Sequence, residues 1–165
     1  MPARPVDLFT FLDQLQLSHH SVAHPPLFTV EQSRSLRGQI PGAHTKNLFL
    51  RDKKGALYLV VALEEAAIDL KSLQKVLGAA RLSFGSADLL RQTLGVEPGA
   101  VTPFAAINDE NRQVSIVLDA AMMEHETLNY HPLVNTMTTS IASADLLKFL
   151  EATGHRARIV PLSSG

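Results

Sequence analysis

The chain has 165 residues, 45% of them apolar, and a formal net charge of −1. That length and apolar share suit one domain with one core over residues 1–165, and the near-neutral total excludes the overall cationic character of a generic nucleic-acid binder. The lack of cysteine excludes disulfides, thiolate zinc sites and a cysteine nucleophile.

No apolar run approaches the roughly 20 residues that span a bilayer. The start, Met1–Asp7, carries Pro2 and Pro5 and does not read as a signal peptide, so a cytoplasmic protein without membrane contact is expected. Charge is uneven along the chain. Residues 34–91 hold ten Lys/Arg against five Asp/Glu, and residues 97–151 hold two against eight. If the first stretch shares a face, that face can hold phosphates; otherwise it is ordinary solvated charge.

In chain order, Leu8, Phe11, Leu12 and Leu15 repeat with helical spacing and predict a first helix over Val6–Leu17. His19–His24 alternates as a short strand and stops at Pro25-Pro26. Thr29, with Gln32 three residues on, opens a predicted helix over Thr29–Leu36. Lys46–Arg51 and Ala56–Leu63 read as strands joined by the turn Asp52-Lys53-Lys54-Gly55. The second is apolar nearly throughout, as a central strand covered on both faces would be. Helices follow at Asp69–Leu77, closed by Gly78, and at Ser86–Leu94, capped by Ser86 and followed by Gly95. After the turn-rich Gly95–Pro103, strands are expected at Gln113–Leu118, Thr127–Tyr130 and Thr136–Ile141. A helix capped by Ser143 is expected over Ser143–Thr153, and a last strand over Arg156–Val160. Irregular interleaving with several consecutive strands predicts α+β with a curved mixed sheet, not a doubly wound fold.

Nucleotide-binding glycine motifs and the serine-hydrolase elbow G-x-S-x-G are missing. Seven histidines are scattered without H-E-x-x-H or other ligand spacing, so no metal site is expected. Three features carry chemistry instead. Lys46 follows Pro41-Gly42 at a strand entry beside Asn47, where a cation could stabilise developing negative charge or hold a phosphate; it could also be an exposed strand-end lysine. Gly99 and Pro103 frame Ala100-Val101-Thr102, a loop whose backbone N–H groups could bind an ester oxygen, or a plain connection. His131 ends a strand before Pro132, placed to meet a substrate amine or hydroxyl, or to bond backbone.

Taken together, P-G-A-H-T-K-N-L-F-L-R-D-K-K-G at Pro41–Gly55, G-V-E-P-G-A-V-T-P-F at Gly95–Phe104 and N-Y-H-P-L-V-N-T at Asn129–Thr136 resemble the YbaK/prolyl-tRNA editing family, and within it the free-standing deacylases of Ala-tRNA-Pro. The resemblance implies an open barrel or curved sheet flanked by helices. It implies hydrolysis of the aminoacyl ester by water, helped by the substrate's ribose hydroxyl, without cofactor, metal or covalent intermediate. Carried over by position, Lys46 is the functional lysine. Asn47, His131 and the loop Gly99, Ala100, Val101, Thr102 and Pro103 line the substrate pocket, the amides of Ala100 to Thr102 acting as donors. The amine of Lys46 and those amides are expected to face one small cavity.

Arg51, Lys54 and Arg81 are expected on the acceptor stem of tRNA-Pro, with prolyl-tRNA synthetase or an elongation factor as further partners and no specific DNA. The alternatives are a deacylase of Cys-tRNA-Pro or another aminoacyl-tRNA, a non-catalytic nucleic-acid-binding module, and a histidine-metal hydrolase of small esters.

Overall fold

The computed structural model describes residues 2–26 and 40–162. The helix expected over Thr29–Leu36 lies outside the described residues. Helix α1 (Pro5–Gln14) leads to β1 (His19–Ala23), β2 (Ala43–Asp52) and β3 (Leu57–Leu63). Then come α2 (Leu70–Leu77), β4 (Leu82–Phe84), α3 (Ala87–Leu94), and two short 3₁₀ segments, Pro98–Ala100 and Pro103–Asn108. The chain continues through β5 (Val114–Asp119), α4 (Ala120–Met123), β6 (Thr127–Tyr130), β7 (Met137–Ala142), α5 (Ser143–Ala152) and β8 (Arg158–Val160). The fold is α+β, an eight-stranded mixed sheet flanked by helices.

Helix ends follow the capping chemistry of their sequences. The Asp69 carboxylate accepts from the Ser72 N–H at 3.2 Å, and the Ser86 hydroxyl accepts from the Leu89 N–H at 3.1 Å, each satisfying an otherwise orphaned donor. For α5 the expectation is corrected. Ala142 holds the cap position and Ser143 is the first helical residue, because the Ser143 N–H is committed to the Glu126 carbonyl at 2.9 Å. β4 and α4 are too short to show a periodicity and were not foreseen.

The strand order is β1-β7-β6-β2-β3-β5-β8, with β4 on the same edge of β2 as β6. β3 is central, antiparallel to β2 and parallel to β5. Period-two alternation splits its side chains between two cores. Leu57, Leu59 and Val61 join the larger one with Leu8, Phe104 and Phe149, while Tyr58 and Val60 pack with Leu73 and Leu77 of α2. Each fully buried leucine there is worth about 1.5–3 kcal/mol of transfer free energy, which explains why so apolar a strand takes the middle position.

The feature that positions the site is where β2 and β6 part. Their parallel pairing covers only Ala43↔Leu128 and His44↔Asn129. β4 takes up the same edge at Leu50, Arg51 and Asp52. Among the described residues no strand pairs with Thr45–Phe49 on that edge, which leaves a notch in the sheet.

Candidate active site

The first rim of the notch is built around Gly42 and Asn129. Gly42 has φ +99°, and a Cβ there would stand 2.8 Å from Thr127 Cγ2 and 3.0 Å from the Thr127 carbonyl oxygen, so only glycine lets the turn lie on β6. The Asn129 amide, 3% exposed, donates to the carbonyls of Pro41 at 3.0 Å and Ala43 at 3.2 Å, and its oxygen accepts from the Ser140 hydroxyl at 2.5 Å. The Thr45 hydroxyl donates to the Asn129 carbonyl at 2.6 Å. These bonds fix where β2 begins, and so where Lys46 stands. Asn129 is a positioning residue that sequence reasoning missed, although it opens the N-Y-H-P motif.

Lys46 lies opposite Ala62 of β3, and its amine donates to the Ala66 carbonyl. Ala66 is a wall of a cavity of about 600 Å³ whose other walls include Gly42, His44, Leu63 and His125. The cavity is in the range that takes whole small molecules, far more room than an alanyl group needs. Its walls include neither Lys46 nor the Gly99–Pro103 loop, so it is a separate hollow from the one expected between them.

His131 follows β6. The Ala43↔Leu128, His44↔Asn129 pairing ends two residues before Lys46 and His131, so both follow the point where β2 and β6 part. Its Nδ1–H donates to the Met137 carbonyl at 3.0 Å, which fixes the tautomer and leaves Nε2 as the lone-pair nitrogen. Burial holds this imidazole below the ordinary histidine value. The Met137 carbonyl pulls it upward, and the neighbouring His24 ring, 6.2 Å away, adds a further lowering. His24 is itself fixed between the Pro25 carbonyl at 2.9 Å and the Thr138 hydroxyl at 2.8 Å.

Asn47 and Lys46, adjacent in sequence, project to opposite faces of β2. Lys46 shares its face with Leu48 and Leu50, and Asn47 shares its own with Phe49. The Asn47 Oδ1 is buried without a hydrogen-bond partner among the described residues. A ligand touching both residues must enter edge-on, through the notch.

The loop from Gly99 meets the His131 segment. A Cβ on Gly99 would stand 3.2 Å from Asn135 Nδ2. Of the amides expected as ligand donors, that of Ala100 is already committed to the Glu97 carbonyl at 2.8 Å. Thr102 and Pro103 are buried and start the second 3₁₀ segment, the Thr102 hydroxyl accepting from the Phe104 N–H at 3.2 Å. Contact with a ligand is thereby left to Gly99 and Val101, the loop residues that keep exposure.

The basic residues gather at the other end of β2. Arg51 pairs with Ser83, and the Lys53 N–H donates to the Arg81 carbonyl at 2.9 Å; Arg51, Lys53, Lys54 and Arg81 are all exposed. The acid among them, Asp52, is turned inward. Burial pushes its carboxyl upward, but the N–H groups of Ala56, Ala80 and Lys54 outweigh this and hold it below the usual carboxylate value. A cationic surface thus surrounds a carboxylate whose lone pairs are spent on backbone. Among the described residues no three histidine, aspartate or glutamate side chains are grouped as metal ligands, and no helix is long and apolar enough to cross a membrane.

Residues 24–149 match the model of the aminoacyl-tRNA editing domain family. The chain is 37% identical over 152 residues to the prolyl-tRNA editing protein ProX of Acetoanaerobium sticklandii, covering 92% of this chain and 93% of that protein. It is 39% identical over 157 residues to prolyl-tRNA synthetase associated domain-containing protein 1 of Danio rerio, covering 92% and 85%. A solved structure described as a proposed trans-editing enzyme for prolyl-tRNA synthetase superposes with a TM-score of 0.72 at 18% identity, covering all of both chains, a likeness of fold.

Proposed function

The chain belongs to the aminoacyl-tRNA editing domain family, and from that membership we propose that it hydrolyses the ester joining alanine to the terminal adenosine of mischarged tRNA-Pro, in trans and without a metal. What supports this reading is the Lys46 amine, held on the carbonyl of Ala66, a residue that lines the cavity, with the buried acceptor of Asn47 next to it in the chain. The names of the relatives, one a prolyl-tRNA editing protein and one associated with prolyl-tRNA synthetase, favour tRNA-Pro as substrate and the synthetase as a partner. Cytoplasmic action goes with that partner.

In the proposed reaction, water adds to the ester carbonyl. The new C–O bond forms as the carbonyl π pair moves onto oxygen, and collapse expels the ribose oxygen, which takes up the proton that water loses. Lys46 leaves the Ala66 carbonyl to meet the oxyanion, a charge that exists only in the transition state and its neighbours. Nε2 of neutral His131 accepts a hydrogen bond from the attacking water or the alanyl ammonium, and Asn47 Oδ1 accepts from the remaining donor of the substrate. Positioning and electrostatics carry the rate, with no enzyme nucleophile. The cavity beyond Ala66 has room for part of the acceptor end beyond the alanyl group. Rejection of proline is steric, since a larger ring is excluded more readily than a smaller side chain.

The test is release of free alanine from alanyl-tRNA-Pro by the purified protein, with and without a chelator. Equal release in both arms is expected. No release removes the hydrolytic reading, and release abolished by the chelator removes the metal-free one.

A further inference from the structure

The most exposed large apolar side chain among the described residues is Phe84, 63% exposed, on the short edge strand β4. Its position is constrained. Phe84 pairs with Leu50, and the next residue, Gly85, donates its N–H to the Phe49 carbonyl at 2.9 Å. A Cβ on Gly85 would stand 2.4 Å from the Phe49 ring, so the chain leaves β4 pressed against that ring. Leu82, two residues earlier and on the same face, is buried against the α2 core. The strand therefore holds one apolar side chain inward and presents the other to solvent, an arrangement that solubility alone would not favour.

The surroundings name the occupant. Directly opposed residues of an antiparallel pair share a face, so Phe84 lies on the face of Leu50, and by period two on the face of Lys46. The four residue steps along β2 from Leu50 to Lys46 span roughly 13 Å. One residue further along, Ser83 pairs with Arg51, which faces the other side of the sheet, while at the end of the strand the Arg81 carbonyl holds the Lys53 N–H. An aromatic ring between a cationic patch and a catalytic notch has the two elements by which proteins hold single-stranded nucleic acid: charge for the backbone and a π face for the base. At stacked spacing of about 3.4 Å per nucleotide, 13 Å takes up to four nucleotides.

We infer that Phe84 is a stacking platform for an unpaired base of the tRNA 3′ end, between the duplex held by the exposed cations Lys54 and Arg81 and the terminal adenosine at Lys46. This rests on the editing reading and adds a binding residue to it. The ring fixes how far the unpaired strand has travelled when it reaches the notch, and so which nucleotide presents its ester to Lys46.

The experiment uses the full chain and a tRNA-Pro transcript carrying 2-aminopurine at the first unpaired position of its 3′ end, with Phe84→Ala, Phe84→Leu and Phe84→Trp compared for fluorescence and affinity. Stacking predicts quenching by the wild type and by Phe84→Trp, loss of quenching in Phe84→Leu and Phe84→Ala, and about tenfold or more weaker binding by those two. Phe84→Leu keeps an apolar side chain of similar reach, so a shared loss assigns the effect to the ring. Unchanged affinity and fluorescence in Phe84→Ala and Phe84→Leu would overturn the inference. So would a wild-type dimer that Phe84→Ala dissociates without change in tRNA affinity, which would give the ring to a second copy. If the wild type releases alanine and Phe84→Ala behaves identically, stacking alone falls; if the wild type binds no tRNA, the editing reading falls with it.

Discussion

The amine of Lys46 donates to the backbone carbonyl of Ala66. A neutral carbonyl holds the ammonium in place without neutralising it, so its full charge remains for an anionic oxygen, and exchanging one oxygen partner for another needs little rearrangement. Lys46→Ala should therefore slow release of alanine roughly 10²–10³-fold, the usual loss for one oxyanion donor, with the thermal midpoint nearly unmoved. Single-turnover deacylation and a melting curve on the same preparation check both halves.

His131 predicts the pH response. Its imidazole titrates below the ordinary histidine value because of burial, against the pull of Met137 and with a further lowering from His24. The acceptor at Nε2 is present while the ring is neutral, so the hydrolysis rate should hold steady through neutral pH and fall only below about 6.5. Stability shares the sign: in that window the unfolded ring binds the proton that the folded ring refuses, so stability is lost as pH falls. His131→Gln should remove the acid limb from the rate profile. A profile in the variant that still bends with the wild-type midpoint assigns the limb to another group.

The exposed cations at the β2–β3 turn give a salt prediction. Arg81→Ala and Lys54→Ala should each weaken tRNA binding and reduce the slope of log K against log salt by about one. Asp52→Asn should mimic them in part, since the amide keeps one acceptor oxygen where the carboxylate has two and so leaves part of the Lys54, Ala56 and Ala80 N–H set that shapes the turn without an acceptor. Filter binding across a salt series is the measurement, and parallel lines for all variants would remove the cationic face from tRNA recognition.

Gly85→Ala tests how tightly β4 is seated. The added Cβ meets a Phe49 ring that is itself buried, and overpacking of this kind costs about 1–3 kcal/mol. A lowered thermal midpoint is expected, together with weaker tRNA binding as Phe84 shifts. An unchanged midpoint means that the ring yields.

What was legible in the sequence divides by range. The β2–β3 hairpin was readable because K-N-L-F-L-R and A-L-Y-L-V-V-A-L carry their strand signals locally around a Lys-Lys-Gly turn, and α2 and α3 because Asp69, Gly78, Ser86 and Gly95 mark their ends. The notch was not readable, because it arises from a two-residue parallel contact between segments 85 positions apart. The division of Lys46 and Asn47 between two faces follows from strand alternation alone. The spent amide of Ala100 depends on a 3₁₀ turn that Pro98 and Gly99 do not announce. Asn129 looked like one more strand residue until its amide was seen to clamp both carbonyls flanking Gly42.

The central claim concerns which ester is cut, and a panel of tRNA-Pro charged with alanine, cysteine, serine or proline measures it most directly, scored as free amino acid released per unit time. The account predicts rapid release of alanine, weaker discrimination against serine than against the proline ring, and intact prolyl-tRNA. Hydrolysis of prolyl-tRNA at the alanyl rate, or cysteine released in preference to alanine, would contradict it.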